Sequence, residues 1–177
     1  LYREVWLETS AESRLTDLFV YTPTLQSAVV QWTAEHLEQI VNIRVRLETV
    51  DGKVLTEQTT EKTEKGELHF SVPEAEPWDT EHPVLHRGVA ELLDAVGQAV
   101  ERKQVTFGFR TAEFQADGFY LNGKKTFLRG LNRHQSYPYI GYAAPESLQR
   151  EDVRILQEEL HCTAVRTSHY PQSQYFL

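Results

Sequence analysis

The stretch IVNIRVRLETVDG, residues 40–52, carries the clearest structural signal in the sequence. Within it, Ile43, Val45 and Leu47 alternate with polar residues. Residues two apart lie on the same face of a strand, so this alternation predicts a strand with one buried face. The Asp-Gly pair that closes the stretch is typical of the tight turn of a β-hairpin. The stretch therefore predicts a strand that leads directly into a hairpin.

Similar short segments lie on both sides of this stretch, separated by Gly, Pro or polar residues. They are Leu15–Tyr21, Ala28–Thr33, Leu68–Val72 and Val105–Arg110. In the first of them the alternation predicts that Leu15, Phe19 and Tyr21 share one face of a strand. About seven short strands within roughly a hundred residues are typical of an immunoglobulin-like β-sandwich.

Residues 89–103 are compatible with two structures. Val89–Val96 has good helix propensity, but the same residues also alternate and are followed by a turn residue, Gly97. The next segment, Val105–Arg110, is rich in strand-forming residues and needs a neighbouring strand. A hairpin is therefore favoured over a helix.

Beyond residue 113 the pattern changes. Phe119–Arg129 contains Asn-Gly between two apolar runs, which predicts a hairpin, and a first strand then runs into Gly130. Pro145 predicts the first turn of a helix, whose apolar residues recur at mostly helical spacing up to Leu160. Cys162–Thr167 predicts a second strand. Strand, helix and strand in this order indicate a βαβ unit and a parallel sheet.

Polar clusters follow the carboxyl ends of both predicted parallel strands. The first strand runs into Asn132, Arg133 and His134, and the second into Arg166 and His169. In α/β barrels ligands bind at this end, because the loops converge there over a rigid sheet. Asn132 and His134 have the same parity and are expected to face the barrel mouth, with Arg133 facing away. Arg166 and His169 have opposite parity and share the mouth only if the strand breaks between them.

Composition narrows the possible functions. The chain has 177 residues, a formal charge of −8, 40% hydrophobic residues and 25% charged residues, which suits globular domains and excludes wholesale disorder. The net acidity argues against a nucleic-acid partner. The sequence has no apolar run of ~18 residues, so no membrane partner is expected. The single cysteine, Cys162, excludes an internal disulfide framework and a multi-cysteine zinc site.

The two ends of the sequence predict a piece of a longer protein. The chain contains no methionine, opens directly on the strand-like residues 1–7 and closes on the apolar residues 175–177. No signal peptide is visible, which predicts a cytoplasmic location.

Four motifs, in this order and spacing, resemble the family 2 glycoside hydrolases. They are Gly108-Phe109-Arg110, Leu121-Asn122-Gly123-Lys124, Leu128–His134 and Ala164–Pro171. The Asn-Arg-His sequence is most similar to the β-galactosidase branch of the family. β-Glucuronidases usually have Asn-Lys-His followed by acidic residues, whereas this chain continues with Gln135-Ser136-Tyr137. Thr163 stands where the family usually has Asn.

The resemblance implies a mainly β chain with an α/β part. Residues 1–14 would be the closing strand of a jelly-roll sugar-binding domain that lies outside this sequence. Residues 15–113 would be the immunoglobulin-like β-sandwich. Residues 114–177 would be a lead-in hairpin and the first βαβ portion of a truncated TIM barrel, whose remainder also lies outside this sequence.

The resemblance also implies roles for the polar clusters. His134 and His169 would contact the galactosyl hydroxyls, with Asn132 as supporting polar scaffold, and Arg166 would orient the nucleophilic glutamate. The two catalytic glutamates of the family would lie beyond residue 177. The carboxylates of residues 114–177 precede the hairpin or lie on the helix, so no catalytic residue is expected in this piece.

The expected activity is therefore that of the parent protein, a β-galactosidase acting on a β-galactoside, and this piece alone is expected to be inactive. No cofactor or metal is expected within the piece, although the parent is expected to bind a divalent cation partly through other residues. The parent is also a candidate homo-oligomer.

Several alternatives stay open at this point. The parent specificity is also compatible with β-glucuronidase or another family 2 activity, and the sandwich with a non-enzymatic interaction or carbohydrate-binding module. The three residues are also compatible with purely structural roles. Arg166 could be a barrel ion-pair residue, His134 a surface loop residue and His169 a residue packed on Pro171.

Overall fold

The computed structural model describes residues 5–177. They form two compact units, residues 9–125 and residues 126–177 together with 5–8. Seven strands make up most of the first unit: β1 Arg14–Thr24, β2 Ser27–Glu35, β3 Asn42–Thr49, β4 Val54–Glu61, β5 Lys65–Ser71, β6 His86–Leu93 and β7 Ala99–Phe107. One sheet has the order β1-β2-β5 and the other β4-β3-β6-β7, with antiparallel neighbours. This arrangement confirms the predicted immunoglobulin-like sandwich.

The core of the sandwich lies between the two sheets. Ile43, Val45 and Leu47 of β3 are completely buried, as their alternation predicts. They belong to one apolar cluster with Val30 and Trp32 of β2 in the opposite sheet. Burial of apolar area from both sheets is the main favourable contribution to this fold.

The prediction that Leu15 and Phe19 share one face of β1 is wrong. Leu15 and Leu18 are buried, whereas Phe19 and Tyr21 are exposed. The register with β2 shifts between Leu15 and Asp17, and such an extra residue moves all later side chains to the opposite face. The bulge thus turns two aromatic rings outward.

The hairpin over residues 89–103 is confirmed, and the helical alternative is wrong. Strands β6 and β7 pair antiparallel. Asp94 caps the turn, since its carboxylate accepts hydrogen bonds from the backbone N–H groups of Val96 and Gln98. Gly97 has a φ of 80°, a conformation that glycine adopts without steric cost.

His86 in β6 gives the sandwich a predicted sensitivity to acid. The ring is buried, contacts Phe109 edge-on at 4.9 Å between centroids, and has a pKa lowered by burial. A histidine whose folded pKa is depressed stabilises the fold above its unfolded pKa, about 6.5, and loses that contribution as pH falls through the folded pKa. In urea titrations at pH 7 and pH 5, a His86→Leu variant should lose less stability on acidification than the native chain. His82→Leu, at an exposed histidine, serves as the control; equal losses in native and His86→Leu proteins would contradict the prediction.

A small three-stranded sheet follows the sandwich. Its strands are β8 Ala112–Gln115, β9 Gly118–Leu121 and β10 Lys124–Thr126, in the order β10-β9-β8. Asn122 and Gly123 both have positive φ, at 53° and 75°, which is the requirement of a type I′ hairpin turn. The predicted Asn-Gly hairpin is confirmed.

The second unit contains the βαβ element. Its parts are strand β11 Gly130–Arg133, helix α1 Glu146–Arg154, a π-helical continuation Ile155–Glu159 and strand β12 Ala164–Thr167. Strands β11 and β12 pair in parallel, as predicted. They approach so closely that a Cβ on Gly130 would lie 2.1 Å from the carbonyl oxygen of Ala164, so glycine is required there.

The start of α1 differs by one residue from the prediction. Pro145 has extended backbone and caps the helix rather than forming its first turn, because its carbonyl accepts the first helical hydrogen bonds, from Leu148 and Gln149. The apolar stripe on the helix is only half-buried, whereas Gln149 is fully buried. The second unit therefore has a polar centre.

The predicted domain boundaries stay predictions. Of the proposed closing strand at residues 1–14, residues 1–4 lie outside the described part of the chain. Residues 5–13 have no regular secondary structure, and Arg14 already belongs to β1. The described residues contain no helix with the length and hydrophobicity needed to cross a bilayer.

Candidate functional site

The two predicted polar clusters lie side by side at the carboxyl ends of β11 and β12. The parallel register places Asn132 opposite Arg166. Just beyond the strands, the rings of His134 and His169 meet edge-to-face with 5.2 Å between their centroids. All four side chains are on exposed residues. The structure thus brings these residues to one rim, although their roles stay predictions.

The end of β12 determines how Arg166 and His169 reach the same rim. The strand stops at Thr167, so the strict alternation of sides ends before His169. The peptide bond between Ser168 and His169 is cis. Ser168 is fully buried, its N–H donates to the carbonyl of Arg133, and its hydroxyl accepts a long hydrogen bond of 3.4 Å from Arg166. Ser168 therefore connects the two strand ends beneath the rim.

Arg133 faces away from the rim, as its parity predicts, and forms the polar centre of the unit. Its guanidinium donates two hydrogen bonds to Asp152, at 2.8 and 2.6 Å, and one each to Gln149 and Gln172, at 2.7 and 2.9 Å. It also lies 4.0 Å from the ring centre of Phe176. Only 5% of the Arg133 side chain is exposed. This one residue joins the end of β11, helix α1 and the loop that follows His169.

A second connection joins the same two loops. The backbone N–H of Gln135, next to His134, donates to the hydroxyl of Tyr170, next to His169, at 2.8 Å. Gln135 is itself buried, and Tyr170 packs on Tyr142 with 5.2 Å between ring centroids. Each rim histidine is thus followed by a residue fixed to the other loop. Such support orients functional side chains more precisely than a free loop would.

The carboxylates of residues 114–177 are engaged elsewhere. Asp117 pairs with Lys125 in the hairpin, and Asp152 pairs with Arg133. The remaining four are Glu146, Glu151, Glu158 and Glu159, which pair with Arg150 or Arg154 on the helix surface. The rim itself holds imidazoles, an amide and a guanidinium. That set can bind hydroxyl groups and an anionic group, but it lacks the two carboxyl groups of a glycosidase.

The described residues also give no basis for a metal centre. Within residues 5–177, no group of three His, Cys, Asp or Glu side chains converges to hold a metal ion. The divalent cation that the family resemblance implies for the parent, bound partly by residues outside this sequence, stays a prediction. No step of the proposed chemistry is assigned to it.

Thr163, the departure from the family pattern, has a structural role. Its hydroxyl accepts a hydrogen bond from the backbone N–H of Arg129 at 2.9 Å and donates to the carbonyl of Phe127 at 3.1 Å. The side chain thereby ties the start of β12 to the segment before β11. It lies at the opposite end of these strands from the rim.

Sequence reasoning missed the polar network beneath the rim. Gln149 and Asp152 lie three residues apart among the apolar residues of the predicted helix, and residues at that spacing share one helix face. This pair, together with Arg133 on the helix-facing side of β11, was the signal in the sequence for a buried polar network.

Comparison with known families agrees with this architecture. A protein-family sequence model described as "Glycosyl hydrolases family 2" matches residues 13–110. A second family model, described as "Glycosyl hydrolases family 2, TIM barrel domain", matches residues 112–177. The chain belongs to glycoside hydrolase family 2. Its βαβ unit is accordingly the start of the family's TIM barrel domain.

Individual family 2 proteins show both similarity and difference in length. A β-galactosidase of Thermoanaerobacterium thermosulfurigenes is 54% identical over 101 residues, 56% of this chain and 14% of that protein. A putative β-glucuronidase of Formosa agariphila is 32% identical over 178 residues, 96% of this chain and 21% of that protein. The solved structure of Bifidobacterium dentium β-glucuronidase with coumarin-3-O-glucuronide has a TM-score of 0.82 at 24% identity, covering 94% of this chain and 29% of that one. The last similarity concerns the fold alone.

Proposed function

We propose that this chain is part of a retaining glycoside hydrolase that removes terminal non-reducing β-D-galactose residues. The observation that carries the proposal is the rim on which His134 and His169 are in ring contact beside Asn132 and Arg166. The 54% identity to a β-galactosidase supports the choice of galactose. So does the neutral Gln135-Ser136-Tyr137 segment after Asn-Arg-His.

In this proposal the rim provides half of a substrate site. The two imidazoles donate and accept hydrogen bonds toward vicinal hydroxyls of the sugar, and Asn132 adds an amide. Arg166 holds the nucleophilic carboxylate of the parent enzyme ionised and in position, since a guanidinium fork matches a carboxylate. Both catalytic carboxyl groups, about 5–5.5 Å apart in a retaining enzyme, come from parts of the barrel beyond residue 177.

Turnover of nitrophenyl glycosides tests this proposal. The 177-residue chain should give no turnover, and the protein extended through the whole barrel should cleave the β-galactoside. The extended protein should also release β-galactose first, because a retaining mechanism preserves the anomeric configuration. An extended protein that cleaves only the β-glucuronide would overturn the galactosidase assignment, and cleavage by the chain alone would overturn the assignment of the catalytic groups.

A further inference from the structure

The outer face of the sheet β1-β2-β5 carries an ordered set of side chains that the proposed activity does not use. The strand register places Phe19, Gln31 and Glu67 in one row across the three strands. Tyr21 and His69 lie in the next row on the same face of the sheet. We call these five residues the outer platform. Their neighbours along β2 with the opposite parity belong to the sandwich core, so the platform faces outward.

Two aromatic rings form one side of the outer platform. Phe19 and Tyr21 are 53% and 40% exposed, and their rings stack with 6.1 Å between centroids and 29° between planes. The exposed parts of the two rings offer apolar surface beside the phenolic hydroxyl of Tyr21. Exposed aromatic surface of this kind commonly marks a place of interaction.

Polar groups fixed in position form the other side. Gln31 donates to one oxygen of Glu67 at 2.9 Å, and the Nε2 atom of His69 lies 3.1 Å from the other oxygen. The hydrogen bond from Gln31 is the main cause of a lowered pKa at Glu67. A carboxylate offers about four lone-pair positions, so Glu67 keeps acceptor capacity while its orientation is held.

A shallow concavity of about 520 Å³ lies over part of this face. Its lining includes Phe19, Gln31 and Glu67, together with Asp17 and Lys65 in the adjoining row. The volume lies within the range of small-molecule sites, about 300–1,000 Å³. The ring and the polar row thus border a space of suitable size for a ligand.

The chemistry of the outer platform selects the ligand class. An aromatic face suits the C–H face of a pyranose, and carboxylate, amide and imidazole groups suit its hydroxyls. The concavity is lined by the carboxylates of Asp17 and Glu67 and by only one lysine, Lys65. This excess of negative charge disfavours anionic ligands such as phosphates, uronates and nucleic acid. We propose that the outer platform binds a neutral oligosaccharide as a second sugar site, separate from the rim of the βαβ unit.

Nuclear magnetic resonance of the whole 177-residue chain tests this proposal, with β-1,4-galactotetraose as the probe. The experiment is run with the native chain and with a His134→Ala/His169→Ala variant. Shifts that persist in the variant cannot come from sugar bound by the rim histidines. Galactotetraose should shift backbone amides of β1, β2 and β5 in both proteins. The shifts should be much weaker with tetragalacturonate, the charged analogue of matched length.

Variants identify the ring responsible. Phe19→Ala should weaken binding about tenfold, since the ring contributes both buried apolar area and an oriented aromatic contact. Tyr21→Ala should weaken binding in the same direction. Phe114→Ala, at another exposed aromatic residue of the same unit, should bind like the native chain. Unshifted amides in the three strands, or equal affinity of the Phe19 variant, would overturn the proposal. A third outcome would also overturn the proposal. If dilution of the ligand-free native chain shifts these amides and Phe19→Ala abolishes the shifts, the outer platform binds a second copy of the chain.

Discussion

Replacing Asp152 by alanine should destabilise the unit formed by residues 126–177 by about 3–5 kcal/mol. Asp152 accepts two hydrogen bonds from Arg133, whose side chain is only 5% exposed. Without this carboxylate the hydrogen bonds left to the buried guanidinium go to neutral amides, those of Gln149, Gln172 and Gln135. A buried charge that loses its counter-ion costs far more than a broken surface pair.

Hydrogen exchange of the whole chain measures this effect locally. Amides of α1 and β12 should lose most of their protection in Asp152→Ala, whereas those of β3 and β6 in the sandwich should keep theirs. Glu151→Ala removes the neighbouring carboxylate on the same helix, which pairs with the exposed Arg154, and should change protection little.

A double replacement separates the charge from the packing. In Arg133→Met/Asp152→Leu both members of the pair become apolar, and protection should recover part of the loss, because apolar residues often replace a buried ion pair at little cost. The recovery should be incomplete, because the buried amide of Gln149 loses the hydrogen bond from Arg133. If Asp152→Ala and Glu151→Ala have equally small effects, the network around Arg133 does not hold the unit together.

The parts of the fold that local chemistry determines were predictable from the sequence. The alternation in residues 40–52 sets one face of β3 against the core, and the Asn122-Gly123 pair has the positive φ values that its turn type requires. In both cases the deciding interaction joins residues close together in the sequence. The parallel pairing of β11 and β12 was also predictable, because strand, helix and strand in succession leave few other topologies.

The features that were not predictable depend on distant partners. The bulge in β1 is a property of its register with β2, and the alternation of β1 alone gives no sign of it. The environment of Arg133 likewise combines groups from α1 and from the loop after β12. At the rim, the equal parity of Asn132 and His134 was sufficient to predict that they lie together. The contact of His169 with His134 was harder to predict, because it requires the break after Thr167.

The second large effect is expected at Arg166, on the premise that the proposed galactosidase function holds. In the protein extended through the barrel, Arg166→Ala should lower kcat by about 10²–10³-fold, the usual cost of removing one preorganised electrostatic contact. KM should change less, because Arg166 is proposed to orient the nucleophile rather than to bind the sugar. Arg166→Lys should restore only part of the rate, since an ammonium group lacks the planar fork that fits a carboxylate.

The pH profile distinguishes this positioning role from a structural one. A guanidinium beside a carboxyl lowers the pKa of that carboxyl, so its removal raises the pKa of the nucleophile. The nucleophile must be ionised, and the acidic limb of kcat/KM should therefore move to higher pH in Arg166→Ala. Arg150→Ala, which breaks an exposed helix pair with Glu146, should leave both rate and profile unchanged. A slow Arg166→Ala enzyme with an unmoved acidic limb would mean that Arg166 supports the barrel wall, because loss of packing alone does not change the charge beside the nucleophile.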